Sequence, residues 1–344
     1  MRAGCTIILV LMAVMGSCTV VYAQGVGIAD GVPDAVMKAY GMRMNGDSDD
    51  AREMLEVHLK EHPSDKWAHY ELARTYFYHM AMKKAQKSIA KAIERDPDIS
   101  EFHYLAGQIG TYYGMLKMKN PLKWPVVPLT FSKSIHAYER AVDCDPSWSE
   151  ARLRIVEAAN IPWYMGGSGK KVTSQMNALE EIDPVYAAIA QCRLIKSDER
   201  EKRITVYEAL IPEHRRNPLL NRCLGLEYCV SGNYDKGLPL IMTAMETDPS
   251  HADALLLVGK AGGAGRDFDR AAAGAEQYLA MDTPVPLRAY ACGQMGVICN
   301  RSEKPDEAQT WFSRAREIDP HVWSTYVPPP SDLFMPPGWR CGKN

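Results

Sequence analysis

The sequence predicts an all-α protein, built as a solenoid of about eight helix-turn-helix repeats. One observation is a set of small residues spaced 34 apart, namely Ala39, Ala73 and Gly107. A second set keeps the same spacing between Ala51 and Ala85. Asp-Pro pairs also close several units, and proline ends a helix because it lacks the amide donor. Runs that alternate apolar and polar residues, as strands do, are missing.

The clearest unit covers residues 66–99 and consists of two short helices joined by a turn. Its first helix has Leu72, Ala73 and Tyr76 at helical spacing, and its second has Ala85, Ile89 and Ala92 before Pro97. This pattern resembles the tetratricopeptide repeat, a helix-turn-helix of 34 residues. His69 stands where that family often has Trp, and Leu72-Ala73 replaces Leu-Gly. The resemblance implies a right-handed superhelical solenoid whose first helices line a concave groove.

The phase of these residues divides the chain into segments. Residues 31–322 are predicted to form the repeats, after a short glycine-rich lead-in over residues 24–30. A proline-rich tail, residues 323–344, follows. Each unit buries its apolar face against its neighbours, so the repeats are expected to share one continuous core.

The third repeat carries an insertion over residues 113–130. Its second helix starts about 15 residues late, and the inserted segment holds Pro121, Pro125 and Pro128. Such a segment does not form one continuous helix. Because it is apolar, we expect it to pack as a strap on the edge of the solenoid. A loop that contacts a partner, through Trp124, is the alternative.

The fourth repeat contains the glycine-rich sequence GGSGKK between its two helices. A phosphate-binding loop requires glycine where Tyr164 stands, and Ser or Thr where Lys171 stands. We therefore interpret the segment as a turn between helices. The fifth repeat is the most degenerate, and the sixth to eighth repeats return to the regular pattern.

The first 23 residues have the features of a secretory signal peptide, with Arg2, an apolar run and a small residue, Ala23, before the cut. Lipid attachment at Cys18 is the alternative. No later stretch is long and apolar enough to cross a membrane. We therefore expect an exported protein, periplasmic or secreted, with a lipoprotein anchored at Cys18 as the other possibility.

The charge balance is close to neutral, with 40 basic and 42 acidic residues. This composition argues against nucleic acid as a partner, and it gives no electrostatic reason to bind anionic lipid. Seven cysteines follow the signal peptide. Cys223 and Cys229 would lie about 9 Å apart along one helix, too far for a disulfide. Buried free cysteines are the preferred interpretation.

Enzyme motifs are missing from the chain, so no catalytic residue and no cofactor are predicted. His69 and His103 lie 34 residues apart at equivalent repeat positions. A metal site would need a third ligand that the pattern does not supply, and we interpret both as packing residues. No metal site is predicted.

The first helices of the second and third repeats carry matched aromatic residues. Reading every fourth residue gives Tyr70, Arg74 and Tyr78, then Tyr104, Gln108 and Tyr112, with Tyr40 one repeat earlier. If this face lines the groove, it forms an aromatic wall, and Tyr and Arg are enriched in binding hot spots. Packing of these tyrosines between adjacent helices is the alternative.

The resemblance implies a protein-interaction module rather than an enzyme. We expect a scaffold of the cell envelope that binds a peptide or a partner helix in the concave groove. The alternative is a protein that binds carbohydrate or another polymer, with groove tyrosines stacking on sugar rings.

Overall fold

The structure, a computed structural model, describes residues 31–248, 251, 253–257, 267–281 and 283–321. The predicted signal peptide, the lead-in over residues 24–30 and the proline-rich tail all lie outside the described residues. So do Cys18 and Cys341.

Pairs of helices follow one another along the described chain, and this confirms the predicted all-α solenoid. The first helices of the repeats are α1 (Asp34–Met44), α3 (Lys66–Tyr78), α5 (Ser100–Met118), α7 (Ser149–Ala159), α9 (Pro184–Leu194), α11 (Pro218–Val230), helical residues 253–257, and α14 (Val285–Arg301). The second helices are α2 (Ser48–Glu61), α4 (Met82–Arg95), α6 (Val127–Cys144), α8 (Gly169–Ile182), α10 (Arg200–Leu210), α12 (Tyr234–Thr247), α13 (Phe268–Leu279) and α15 (Pro305–Ile318). Strands are absent from the ranges that the structure describes.

Polar caps at the repeat junctions start the first helices. The Asp65 carboxylate accepts a hydrogen bond from the amide of Ala68 at 3.0 Å. Asp183 accepts from the amides of Val185 and Tyr186, both at 3.1 Å. These bonds satisfy amides that lack a partner within the helix. In the Asp183-Pro184 pair the aspartate therefore ends one helix and caps the next.

The helices form two layers that differ in burial. In α3 every residue from 67 to 78 is buried, whereas α4 buries one stripe only. The first helices also pack on one another from repeat to repeat, as α7 does on α9. The first helices therefore make an inner layer, and the amphipathic second helices cover its outside.

The insertion of the third repeat is mostly helical, which corrects the expectation of a strap over residues 113–130. Helix α5 continues to Met118, and α6 already starts at Val127. Between them lies only a 3₁₀ helix, η1 (Pro121–Val126), next to both α-helices. Pro128 sits in the first turn of α6, where its missing amide costs no hydrogen bond. The inserted residues therefore lengthen two helices rather than form a separate strap.

The last described residues return to the first two repeats. The Tyr78 hydroxyl donates to the Asp319 carboxylate, and the ring of His79 stacks on that of His321 at 3.8 Å. His321 Nε2 lies 2.8 Å from an Asp49 carboxylate oxygen. After eight repeats the end of the solenoid therefore packs on the turns of its first two repeats, and we call this contact the end clasp.

The cysteines behave as small apolar side chains. Five of the six within the described residues are buried, and these six thiols are free. Burial raises the pKa of Cys192 to about 12 and that of Cys229 to about 11. Both thiols are therefore protonated at neutral pH, and the interpretation as buried free cysteines is confirmed for them.

Candidate functional site

The predicted wall residues of the first two repeats lie together on the inner helices. The guanidinium of Arg74 lies 5.8 Å from the ring centre of Tyr40 and 5.5 Å from that of Tyr70. The guanidinium of Arg43 lies 5.7 Å from the ring centre of Tyr40. These distances are those of cation–π contacts.

A buried carboxylate holds the two arginines. Glu71 accepts from Arg43 Nε at 2.9 Å and from Arg74 Nη1 at 2.8 Å. All three side chains are essentially inaccessible to solvent. Burial lowers the pKa of Arg43, although the charge of Glu71 opposes this shift. Burial also raises the pKa of Tyr40, against the effect of the two arginines.

A second polar group surrounds Tyr104. Its ring stacks on Trp148 at 4.6 Å, and its hydroxyl donates to Glu150 and accepts from Arg154 Nε, both at 3.3 Å. Arg154 also pairs with Glu157 at 2.7 Å. Burial raises the pKa of Glu157, although the neighbouring arginines oppose this shift. The inner layer therefore repeats a motif in which arginines and carboxylates interlock with tyrosine rings.

The remaining predicted wall residues have separate surroundings. Tyr112 packs edge-on against Phe77 with ring centres 5.3 Å apart, and Gln108 is buried between inner helices. Tyr78 belongs to the end clasp. Trp124 lies away from the wall, since it is exposed in η1 and donates its indole N–H to the Met118 carbonyl at 2.9 Å.

The expectation of an open groove at these positions needs correction. Tyr70, Arg74, Tyr104, Gln108 and Tyr112 each expose 7% of their surface or less, and only Tyr40 is half-buried. Their rings and charged groups are occupied by side chains of neighbouring inner helices. The alternative interpretation, packing between adjacent helices, therefore describes their present surroundings better. Whether a partner contacts them stays a prediction. We call this set, with Arg43 and Glu71, the inner wall.

The charged partners of the tyrosines escaped the sequence analysis. Glu71, Arg154 and Arg222 each stand in a first helix that is buried over most of its length. Arg222 is fully buried and donates to Asp253 at 2.8 Å. A charge inside a helix that is buried over most of its length is the signal that would have revealed these pairs.

Residues 42–109 match the sequence profile of the tetratricopeptide repeat family. Over these residues the resemblance to tetratricopeptide repeats is confirmed. No curated protein sequence matches the chain.

Several solved structures of tetratricopeptide repeat proteins are similar in fold. One from Parabacteroides merdae is 15% identical, with 80% of this chain and 98% of that chain covered at a TM-score of 0.45. TTC0263 from Thermus thermophilus is 16% identical, with 66% and 97% covered at a TM-score of 0.40. Yeast Tom70 is 13% identical, with 85% and 77% covered at a TM-score of 0.38.

The two equivalent histidines of these tetratricopeptide repeats have the same role. His69 Nε2 lies 3.0 Å from the Pro63 carbonyl oxygen, and His103 Nε2 lies 2.7 Å from that of Pro97. Each ring therefore donates to the carbonyl six residues earlier and fastens its helix to the preceding junction. Burial lowers the pKa of both histidines.

Three other side chains of the end clasp could be considered as metal ligands. Ligand atoms of Asp49, His79 and His321 lie within 4.8 Å of one another. The two imidazole planes differ by only 17° and their ring centres lie 3.8 Å apart, so the nitrogen lone pairs lie in two stacked, nearly parallel planes. His79 Nε2 is also engaged by the Ser48 hydroxyl at 2.9 Å. This geometry fits a packed contact between repeats.

Proposed function

We propose that the chain is a non-enzymatic scaffold of the cell envelope that binds a peptide or a helix of a protein partner along the inner wall. Tetratricopeptide repeats are protein-interaction modules, and this supports a protein partner in general. Within the described residues, no helix combines the length and the apolar character needed to cross a bilayer.

The observation that carries the proposal is the choice of residues on the inner wall. Arg43 and Arg74 are among the largest fully buried side chains of the described chain. Replacing a buried ion pair with apolar residues is often neutral or stabilising, so such pairs are weak evidence for a role in stability. Arginine and tyrosine dominate binding hot spots. We infer that recognition contributes to this composition, and that a partner meets the inner wall first at Tyr40, its half-buried member.

Binding of carbohydrate is supported less well by the same geometry. Sugar recognition by stacking needs an aromatic face that is free to receive the ring. The Tyr104 face is stacked on Trp148, and Tyr70 packs on Phe102 at 5.2 Å and beside Arg74. The tyrosine rings are therefore already engaged by protein side chains.

Conservative substitutions test the inner wall because they remove single polar groups and keep most of the side-chain volume. Tyr104→Phe removes the hydroxyl held between Glu150 and Arg154, and Arg74→Lys removes the planar donor pair near Glu71. Tyr76→Phe is the matched control, because it removes an equivalent hydroxyl–carboxylate bond, to Glu56, between a first and a second helix. Each variant is compared in capture of protein from envelope extract and in retention on envelope polysaccharide.

We expect both wall variants to reduce protein capture about tenfold or more, the effect of losing one hot-spot residue. The Tyr76→Phe control should capture protein normally, and polysaccharide retention should stay low throughout. Equal capture by all variants would contradict the wall as a binding surface. Strong polysaccharide retention that the wall variants abolish would instead establish the carbohydrate alternative.

We also propose that the chain is exported and cleaved after Ala23, which supports its placement in the envelope. The mature protein should begin at Gln24 or its cyclised form when sequenced from its N-terminus. A lipidated peptide starting at Cys18 would replace this proposal with an anchored lipoprotein.

A further inference from the structure

Two short helices expose large apolar side chains on one edge of the solenoid, away from the inner wall. In η1, Leu122 is 90% exposed and Trp124 is 55% exposed. In the second 3₁₀ helix, η2 (Trp163–Met165), Trp163 is 84% exposed. Leu129, in the first turn of α6, adds a fourth apolar side chain. Exposed apolar side chains gathered in this way mark an interaction surface.

The two short helices lie next to each other. Each of them joins the two helices of its repeat, so both are turns on the same edge of the solenoid. They pack against α6, and Gly166, which ends η2, approaches the Pro128 carbonyl so closely that an added Cβ would lie 2.9 Å from its oxygen. Both sets of exposed side chains therefore flank the start of α6, and together we call them the strip.

The strip is held outward by local bonds. The indole N–H of Trp124 donates to the Met118 carbonyl, and the Asn120 side chain accepts from the Leu122 amide at 3.0 Å. Pro121 and Pro125 restrict the backbone of η1 further. The apolar side chains are thus presented on a fixed turn.

Lysines lie around the strip, and of these Lys171 pairs with a carboxylate, that of Glu139. Lys83, Lys117 and Lys123 line one hollow together with Met80 and Met82. Residues 102–138 contain four lysines and no Asp or Glu, and residues 158–179 contain two lysines and no Asp or Glu. Although the net charge of the whole chain is near neutral, its distribution is uneven, and this edge is basic.

The surroundings of Lys117 show how concentrated this charge is. Its ammonium lies 4.1 Å from the ring centre of Tyr113 and donates to the Thr130 hydroxyl at 3.0 Å. Burial lowers the pKa of Lys117, and the charges of Lys123, Lys133 and Lys83 lower it further. An anionic group bound at this point would relieve that repulsion.

We propose that this basic edge docks peripherally on the surface of an anionic phospholipid bilayer. Trp and Tyr prefer the headgroup region, where the ring is half apolar and half wet. Lysines near them attract anionic headgroups and keep their charge in water. Leu122 and Leu129 would enter the acyl boundary, which gives the apolar contribution that stable docking requires.

The shape and charge of the edge favour a bilayer over other occupants. The apolar side chains project from protruding turns, whereas a peptide-binding surface is a groove that encloses its ligand. A symmetric dimer through this edge would bring two sets of lysines together, and like charges across an interface oppose association. The docking does not involve the inner wall. An experiment that contradicts membrane docking therefore leaves the proposed partner binding untouched, and the reverse also holds.

Vesicle sedimentation tests the proposal. The protein used is the chain from residue 24 onward, which keeps every described helix. The vesicles contain phosphatidylcholine alone or phosphatidylcholine with about one-third phosphatidylglycerol, at low and high salt. We expect binding to the anionic vesicles only, and weaker binding at high salt. The charge variant is Lys83→Gln with Lys123→Gln and Lys133→Gln. The apolar variant is Leu122→Ser with Trp163→Ser.

Matched controls carry the same changes elsewhere on the exposed surface. They are Lys38→Gln with Lys60→Gln and Lys91→Gln, and Val57→Ser with Met242→Ser. Each edge variant should bind anionic vesicles at least about tenfold more weakly, and the controls should bind like the unmodified chain. Equal binding to both kinds of vesicle, or equal losses in edge and control variants, would overturn the proposal. A lipid-independent dimer that only the edge variants dissociate would overturn it too, and would assign the edge to a second copy.

Discussion

At the scale of single residues, the contact between Gly107 and Tyr138 shows how closely the helices of one repeat approach. A Cβ added to Gly107 would lie 2.6 Å from two ring carbons of Tyr138, which is itself buried. The glycine is therefore required by the close approach of α5 and α6 rather than by its backbone conformation. Gly41, in α1, has no atom within 4 Å of the same position.

Alanine at these two glycines should change stability in opposite directions. Gly107→Ala gains helix propensity but forces the Tyr138 ring out of place, so we expect a loss of about 1–3 kcal/mol. Gly41→Ala gains the propensity without a clash and should stabilise by up to about 1 kcal/mol. Urea unfolding measures both values. A stabilised Gly107→Ala variant would show that the two helices can separate at little cost.

His251 gives the repeats a sensitivity to acid. It is buried, with Asp248 at 3.7 Å, and burial together with the charge of Arg222 lowers its pKa to about 3. An unfolded histidine has a pKa of about 6.5. Below about pH 6.5 the histidine is protonated in the unfolded state but stays neutral in the folded state. The free energy of unfolding therefore falls as the pH falls toward 3.

The variant His251→Asn should lose part of this acid sensitivity. Between pH 7.5 and pH 5 the histidine accounts for a loss of roughly 2 kcal/mol in the free energy of unfolding. The variant, which does not titrate at this position, should lose about that much less over the same interval. Urea unfolding at the two pH values gives the comparison. An unchanged loss would mean that His251 is protonated in the folded protein.

At the scale of the helix, one hydrogen bond recurs at the start of several first helices. His69, His103, Arg152 and Asn221 each donate to a carbonyl six residues earlier, at the junction with the preceding repeat. Three different residue types therefore perform one task. The repeat constrains the geometry of the junction more tightly than it constrains the identity of the side chain.

Substitutions of His103 test this role. His103→Ala removes the stronger donor to the Pro97 carbonyl and leaves it only the Cys144 thiol at 3.7 Å, and losing such a hydrogen bond costs about 0.5–1.5 kcal/mol. His103→Asn should lose less, because Asn221 makes the same bond in another repeat. His136, on an exposed face of α6, is the control, and His136→Ala should stay within about 0.5 kcal/mol of the unmodified chain. Equal losses for Ala and Asn would argue that His103 acts by filling space.

The helix pairs could be predicted because their signals are local. Ala39, Ala73 and Gly107 recur in phase since each must admit a neighbouring helix, and prolines mark the junctions. The insertion was misjudged, because Pro128 is tolerated in the first turn of a helix. The sequence left two interpretations of Tyr70 and Tyr104 open, a groove surface and packing between adjacent helices, for a different reason. A period of 34 residues shows which side chains share a face, but it does not determine how tightly that face is packed by the other repeats.

At the scale of the whole molecule, the end clasp joins residues 241 positions apart in the chain. The Tyr78 hydroxyl donates to Asp319, whose other oxygen accepts from the His321 amide at 2.8 Å. Burial raises the pKa of Asp319, while these hydrogen bonds oppose the shift. A buried carboxylate depends on its donors, so the clasp should couple the first repeats to the last.

A double-mutant cycle measures that coupling. Tyr78→Phe and Asp319→Asn each break the bond, and their combined effect should differ from the sum by about 1–2 kcal/mol, as for residues in one hydrogen-bonded pair. The radius of gyration by X-ray scattering should also rise in both variants, because the bond holds together repeats that are distant in sequence. Tyr76→Phe and Glu56→Gln form the control cycle, since that bond joins neighbouring helices. The control pair should show coupling without expansion. Coupling near zero for Tyr78 and Asp319, with an unchanged radius, would mean that the solenoid holds its shape through contacts between adjacent repeats alone.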